Sequence, residues 1–185
     1  MLTLHDIIGN IKKGQSAIRV REILSKLDET YVKIKNTISI VGCVSDTNKT
    51  TVYIKIPSET TARLLYDIVI ELHTSTKVDL NTKFKVYSNS PAFGYNFAYV
   101  FHAQGSLLFA EKYPAQMKQI PPVTRNPYFS VGFDKHVYSS IRYVSEMTLP
   151  IIKQNFEGPA PAIKTFQEKQ NESEQIRNDA RTPTT

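Results

Sequence analysis

Apolar residues recur at helical spacing in the first thirty positions of the chain. Two runs place their apolar side chains on one face, at i, i+3 and i+4. Thr3 can cap the first run, with Asp6 three positions later as a variant of the capping box, and Ser16 can cap the second. The apolar positions are Leu4, Ile7, Ile8 and Ile11 in the first run, and Val20, Ile23, Leu24 and Leu27 in the second. The pattern predicts two short amphipathic helices, separated by Lys12-Lys13-Gly14.

Strand-forming residues follow. Residues 37–44 are β-branched and apolar, and residues 51–56 alternate between apolar and polar positions. Because a short polar link at 45–49 joins the two runs, they predict a β-hairpin. A weaker alternation at 31–34 predicts one more short strand.

A second amphipathic stripe begins after the hairpin. Pro57 ends the strand, and Ser58 can cap a helix that extends over residues 58–73. The stripe consists of Leu64, Leu65, Ile68, Val69 and Leu72. This spacing predicts a helix.

Two further strands are predicted at residues 83–87 and 95–101, around a turn at 88–91. In the second of them, aromatic residues alternate with smaller ones. Prolines then interrupt residues 110–132, which predicts a long irregular loop that binds a partner or wraps the body. Asp134 can cap a final helix, whose inward positions are Val137, Ile141 and Val144.

The character of the chain changes near residue 150. Prolines interrupt the segment, and residues 167–185 contain Ile176 as their only sizeable apolar residue. Such a segment cannot offset its ordering entropy, which is about 1–2 kcal/mol per residue for the backbone. We therefore expect a globular domain at 1–149, followed by an extended polar C-terminal arm at 150–185 that becomes ordered on partners. The predicted fold class is α+β, with an antiparallel or mixed sheet packed against amphipathic helices.

Charge adds a basic character to the predicted domain. The net charge is +6; residues 1–150 hold 18 Lys and Arg against 12 Asp and Glu, whereas residues 151–185 hold five of each. A positive domain can attract nucleic acid or an acidic protein surface, and it also favours solubility. No run approaches the roughly 18 apolar residues of a membrane span, and the N-terminus does not resemble a secretory signal.

Candidate catalytic chemistry is sparse. The histidines His5, His73, His102 and His136 have no metal-ligand spacing, and no phosphate-binding glycine loop or nucleophile motif is present. The single cysteine, Cys43, excludes an internal disulfide and fits a reducing compartment. We therefore expect a protein that is not an enzyme and uses neither a cofactor nor a metal.

Two segments resemble the strands of an RNA-recognition module. Residues 52–56 are similar to its first ribonucleoprotein motif and residues 95–102 to its second, although Tyr95, Asn96 and His102 depart from the pattern. The resemblance implies a single-stranded nucleic-acid binder. Its aromatic platform would consist of Tyr53, Phe97 and Tyr99, with phosphate contacts from Lys55, Lys85 and Arg125.

A broader stretch, residues 83–145, resembles small virion proteins of tailed bacteriophages in its aromatic strands, in Pro121–Pro127 and in Gly132–Lys135. The resemblance implies a structural subunit in a virion or in the host cytoplasm, with other protein subunits as its partners and no membrane. Tyr, Phe and Arg dominate interface cores. We therefore expect partner contacts from Tyr113, Arg125, Tyr128 and Phe129 in the loop, and from Phe156, Ile163 and Phe166 in the arm. Nucleic-acid binding is the alternative.

Overall fold

The computed structural model describes residues 1–8, 17–74, 76–126 and 134–180, without the side chains of residues 8 and 17–21. Four strands form one antiparallel sheet in the order of the sequence. They are β1 (Ser39–Asp46), β2 (Lys49–Pro57), β3 (Leu65–Leu72) and β4 (Phe84–Ser88). The described helices are α1 (Leu4–Ile8), α2 (Ala17–Ile34), α3 (Pro91–Asn96), α4 (Ala98–Ala103), α5 (Ala115–Gln119), α6 (Lys135–Glu146), α7 (Leu149–Phe156) and α8 (Phe166–Asp179). The predicted α+β class and the antiparallel sheet are confirmed.

The inner face of the sheet carries the main core. Val52, Ile54 and Ile56 of β2 alternate toward this face and are buried, together with their partners on β3. Helix α6 covers them, since Ile141 and Val144 lie beside inner-face side chains of β3. Asp134 caps α6 by accepting a hydrogen bond from the backbone N–H of Val137, as predicted, and Val137, Ile141 and Val144 are buried. The predicted hairpin is the β1–β2 pair.

The structure contradicts two of the predicted elements. Residues 65–72, expected in a helix over 58–73, are strand β3. Its inner face carries the buried Tyr66, Ile68, Ile70 and Leu72, and because β3 is a central strand, Asp67 and Val69 on the outer face are buried as well. Continuous apolar runs do not distinguish a buried strand from a helix. Residues 31–34, expected in a strand, are the end of α2.

Residues 95–101 are also not a strand. They belong to α3 and α4, which begin where the Ser90 side chain accepts a hydrogen bond from the backbone N–H of Phe93. Phe93, Phe97 and Phe101 recur every four residues and are buried, and the first two rings stack with centroids 6.3 Å apart. The four-residue spacing of these phenylalanines makes the segment helical, and the alternation of aromatic residues at 95–101 does not produce a strand.

The C-terminal arm is only partly extended over its described length. Residues 149–156 form α7, whose Leu149 and Ile152 are buried, and residues 166–179 form α8, whose Phe166 is buried. Both helices contact the rest of the same chain. The arm predicted at 150–185 is therefore partly helical where it is described, and its ordering by a partner stays a prediction. The predicted irregular loop contains a 3-10 turn at Ala110–Lys112 and the short helix α5.

Candidate functional site

Residues 157–165, which we call the strap, cross the outer face of the sheet. At the free edge of β1, the backbone N–H of Gly158 donates to the carbonyl oxygen of Cys43 at 3.0 Å. Further on, Pro161 lies against Gly42, where an added Cβ would come within 2.9 Å of the proline ring. Gly42 therefore permits the close approach of the strap to the sheet.

Hydrogen bonds to Lys164 fix the far end of the strap over β3 and β4. The backbone N–H of Lys164 donates to Asp67 Oδ2 at 3.3 Å. Its carbonyl oxygen accepts from the Tyr87 hydroxyl at 2.6 Å and from Asn89 Nδ2 at 3.2 Å. Asp67 is only 3% exposed and also pairs with Lys55 Nζ at 2.8 Å. A buried carboxylate needs such partners, and the strap supplies one of them.

Phe166, directly after the strap, inserts into a depression that we call the socket, formed by Gly94, Tyr95 and Tyr113. The Phe166 ring is 1% exposed, and its centroid lies 5.6 Å from that of Tyr95 and 6.0 Å from that of Tyr113. A Cβ at position 94 would lie 2.2 Å from Phe166 Cε2. Only glycine leaves room for this ring.

Tyr113 forms a rigid wall of the socket. Its hydroxyl donates to the carbonyl oxygen of Ser88 at 2.6 Å and accepts from the Ser88 backbone N–H at 2.9 Å. Complete burial raises the pKa of this phenol well above its ordinary value. The tyrosine therefore remains neutral and holds the end of β4 next to the socket.

Helix α8 begins at the socket with a complete capping box. The Thr165 hydroxyl accepts from the backbone N–H of Glu168, and the Glu168 carboxylate accepts from the backbone N–H of Thr165 at 2.7 Å. Lys169 is buried and pairs with Glu172 at 2.7 Å. These local bonds let a polar helix form with Phe166 as its main apolar anchor.

A surface groove of about 430 Å³ lies beside the socket. Its lining includes Tyr95, Pro114, Met117, Ile120, Pro121 and Pro122. Tyr95 is 47% exposed and Ile120 62%, and the neighbouring Val123 is 63% exposed. The guanidinium of Arg125 lies 5.0 Å from the centroid of the Tyr95 ring, which places a positive charge at the edge of the apolar surface.

The structure brings part of the predicted partner-binding set together. Tyr113 and Phe166 contact each other but are buried within the chain, and Arg125 lies at the groove. Phe156 and Ile163 are half-buried against the core. Tyr128 and Phe129 lie outside the described residues. Sequence reasoning missed Gly94 and Ile120; the glycine between two aromatics at 93–95 was the available signal for close packing.

The predicted nucleic-acid platform does not assemble. Phe97 and Tyr99 belong to the helical segment after β4, whereas Tyr53 is buried on the outer sheet face beside Gly42, against which Pro161 packs. The two lysines on that face have carboxylate partners: Lys55 pairs with Asp67, and Lys85 Nζ lies 3.7 Å from Glu71 Oε1. The strands also do not interleave as in an RNA-recognition module, because all four follow in sequence order. The expected shared stacking surface is therefore wrong.

A separate polar patch is buried at the start of α6. His136 is 4% exposed, and neither ring nitrogen has a hydrogen-bond partner within the described part of the chain. Burial lowers the pKa of this imidazole and raises that of the neighbouring Asp134 carboxyl group. The His136 ring instead packs on Tyr66, with centroids 5.2 Å apart. Among the residues that the structure describes, no nucleophile bonds this histidine as acid–base work would require.

Within the described ranges, no group of three or more His, Cys, Asp or Glu side chains could hold a metal ion. None of the helices there combines the length and apolar character that a membrane crossing requires.

Comparison with known proteins gives no match: no protein-family model, curated protein or solved structure is significantly similar to this chain.

Proposed function

We propose that this chain is a non-enzymatic structural subunit that docks on neighbouring protein subunits through the groove. The more specific form of the proposal is a virion component of a tailed bacteriophage, made in the reducing host cytoplasm. The resemblance of residues 83–145 to small virion proteins supports that form.

The observation that carries the proposal is the clustering of large exposed apolar side chains at the groove. Tyr95 and Ile120 are each roughly half or more exposed, and Met117, Pro114, Pro121 and Pro122 line the groove beside them. Contiguous apolar surface of this kind marks interaction sites in soluble proteins. Tyrosine and arginine, the residues most common at binding hot spots, stand together here as Tyr95 and Arg125.

The chemistry of the groove favours a protein partner. Apolar walls bind aliphatic or aromatic side chains, and the Arg125 guanidinium at the edge can pair with a carboxylate of the partner. Nucleic-acid binding would need several unpaired cations along a track, and the lysines predicted for that role are paired with carboxylates. A neighbouring copy of this chain is the simplest partner to test, since structural subunits commonly assemble with themselves.

Sedimentation velocity of the full-length protein over a concentration series tests the proposal. We expect concentration-dependent association that Ile120→Asp weakens at least tenfold, because a desolvated charge in an apolar contact costs more than about 1.4 kcal/mol. Leu80→Asp is the matched control: Leu80 is exposed but lies in the β3–β4 connection near α1. If Ile120→Asp and Leu80→Asp weaken self-association equally, the result would contradict docking through the groove.

A further inference from the structure

We infer that the end of the strap and α8, residues 161–180, are exchanged between copies of this chain, so that Phe166 of one copy fills the socket of its neighbour. This inference rests on the proposed function, and it names a second copy as the partner and the socket as the receiving site. The socket adjoins the exposed groove, which Gly94, Tyr95 and Phe166 also line.

The contacts of the strap–α8 unit are directed at the body of the fold, and they include Pro161 against Gly42 and the half-buried Ile163 and Ile176. Lys164 bonds Asp67, Tyr87 and Asn89, and Phe166 fills the socket. The partners of these two residues lie on β3, on β4, on α3 and in the loop before α5. An identical copy presents the same groups, so the same contacts can form between two chains.

The start of the strap is suited to opening, although the Gly158 N–H bonds the Cys43 carbonyl oxygen. Gly158, Pro159 and Ala160 are exposed, and a Cβ added to Gly158 would meet no neighbouring atom. Pro159 and Pro161 restrict the backbone to extended conformations, which favour a unit that reaches away from its own body. A short exposed hinge before an independently capped helix is the arrangement from which domain swapping arises.

The body requires some copy of this unit to be bound. Without it, the socket would expose the aromatic walls formed by Tyr95 and Tyr113. The buried Asp67 carboxylate would also lose the Lys164 N–H, one of its hydrogen-bond donors. Asp67 keeps Lys55 and Asn89 as donors, so exposure of the aromatic walls is the larger cost, and the socket favours occupancy from either source. Because closed monomer and exchanged dimer contain the same contacts, protein concentration and hinge geometry decide between them.

Two complementary variants of the full-length protein test the exchange, both in an Ile120→Asp background so that the groove does not pair them. Gly94→Val fills the socket but keeps an intact Phe166, and Phe166→Ala keeps an open socket but lacks the anchor. Neither variant can exchange with itself. We expect each variant to lack the exchanged dimer, and the equimolar mixture to form a one-to-one heterodimer in native mass spectrometry. A mixture that contains only the species of the separate variants would overturn the inference.

A peptide experiment covers the case in which Gly94→Val does not fold by circular dichroism. A fluorescent peptide of residues 157–180 is titrated onto full-length Phe166→Ala, and anisotropy reports binding. We expect this peptide to bind at least about tenfold more tightly than the same peptide with Phe166→Ala, because a buried aromatic anchor is lost. Equal affinity of the two peptides, or no binding of either, would refute the exchange.

The outcomes separate this inference from the proposed function. If Ile120→Asp weakens association but the two variants do not complement, the groove docks subunits and the strap is not exchanged. If they complement while Ile120→Asp has no effect, the strap is exchanged and docking through the groove is wrong.

Discussion

Gly94 shows how one residue sets the position of a whole helix. It lies inside α3, where alanine normally favours the helix over glycine by about 1 kcal/mol. The chain nevertheless has glycine there, because the Phe166 ring occupies the space where a Cβ would lie. Close packing against a ring from the C-terminal helix outweighs local helix propensity at this position.

Replacing Gly94 by alanine should therefore destabilise the protein despite the gain in helix propensity. We expect a loss of about 1–3 kcal/mol in the free energy of unfolding, the usual cost of overpacking. Urea denaturation measures it. Gly158→Ala is the control, and we expect a change within about 0.5 kcal/mol, because nothing lies near its Cβ. Stabilisation by Gly94→Ala would show that Phe166 does not occupy the socket.

His136 makes stability depend on pH. Burial lowers its pKa in the folded state below the ordinary value of 6.5, Asp134 and Glu59 oppose this lowering, and Lys135 adds to it. The unfolded chain thus binds a proton more readily than the folded one. The stability contributed by neutral His136 is present above pH 6.5 and is lost as the pH falls through that value toward the folded pKa. Asp134 acts in the opposite direction, because its raised pKa favours the protonated folded state.

The difference between wild type and His136→Phe isolates the histidine contribution. We expect the thermal midpoint of wild type to fall relative to that of His136→Phe as the pH decreases below about 6.5. His102→Gln, a change at an exposed position, should leave the wild-type profile unaltered. Parallel profiles of wild type and His136→Phe between pH 5 and about 8 would show that His136 is not buried as a neutral group.

At the scale of elements, the C-terminal helix α8 depends on anchoring more than on its own composition. It is polar along most of its length, and the capping box fixes its first turn. Phe166 supplies the main apolar contact, and the half-buried Ile176 a second. Isolated helices of this length are marginal in water, so docking through Phe166 maintains the helix.

Phe166→Ala should release the strap and α8 while the body stays folded. Truncating a buried phenylalanine costs about 3–5 kcal/mol. This cost exceeds the free energy that holds such a terminal segment on the body, so the segment detaches. We expect trypsin to cut at Lys169 and Arg177 much faster than in wild type, and the fragment containing the sheet to persist. Ile151→Ala, at an exposed position on α7, is the control and should be cut at the wild-type rate. Equal cleavage of wild type and Phe166→Ala would contradict anchoring by the socket.

At the scale of the whole molecule, the net charge of +6 favours binding of nucleic acid, whereas the buried outer face of the sheet disfavours base stacking. A positive body attracts polyanions without sequence preference. Stacking requires exposed aromatic side chains on one surface, but Tyr53 is buried there and Phe97 lies in the helical segment. Any binding should therefore be weak and electrostatic.

Fluorescence anisotropy with short single-stranded DNA and RNA checks this expectation. Affinity should fall steeply with salt, and Tyr53→Ala or Tyr99→Ala should change it less than about threefold. A loss of about 1–3 kcal/mol for either substitution would instead indicate stacking and would favour the nucleic-acid alternative. The stability of each variant must be compared first, because Tyr53 contributes to the core.

Local patterns predicted much of the fold but little of the candidate site. The β1–β2 hairpin and the Asp134-capped helix were readable because their signals are local: a polar link between β-branched runs and an N-cap before a helical stripe. The socket was not readable, because its parts come from residues 94–95, 113 and 166. No local pattern records which distant side chains meet.

The sequence by itself determined the α+β class, the basic body and the Asp134 cap of α6, since propensity, net charge and capping depend on neighbouring residues. Tertiary structure alone decided that residues 65–72 form a central strand, because the apolar Leu65 and Val69 of the outer face give the segment a helical spacing as well. It also decided that a polar C-terminal segment folds back on the sheet. There, Phe166 and three hydrogen bonds at Lys164 provide stabilisation that the composition of the segment does not reveal.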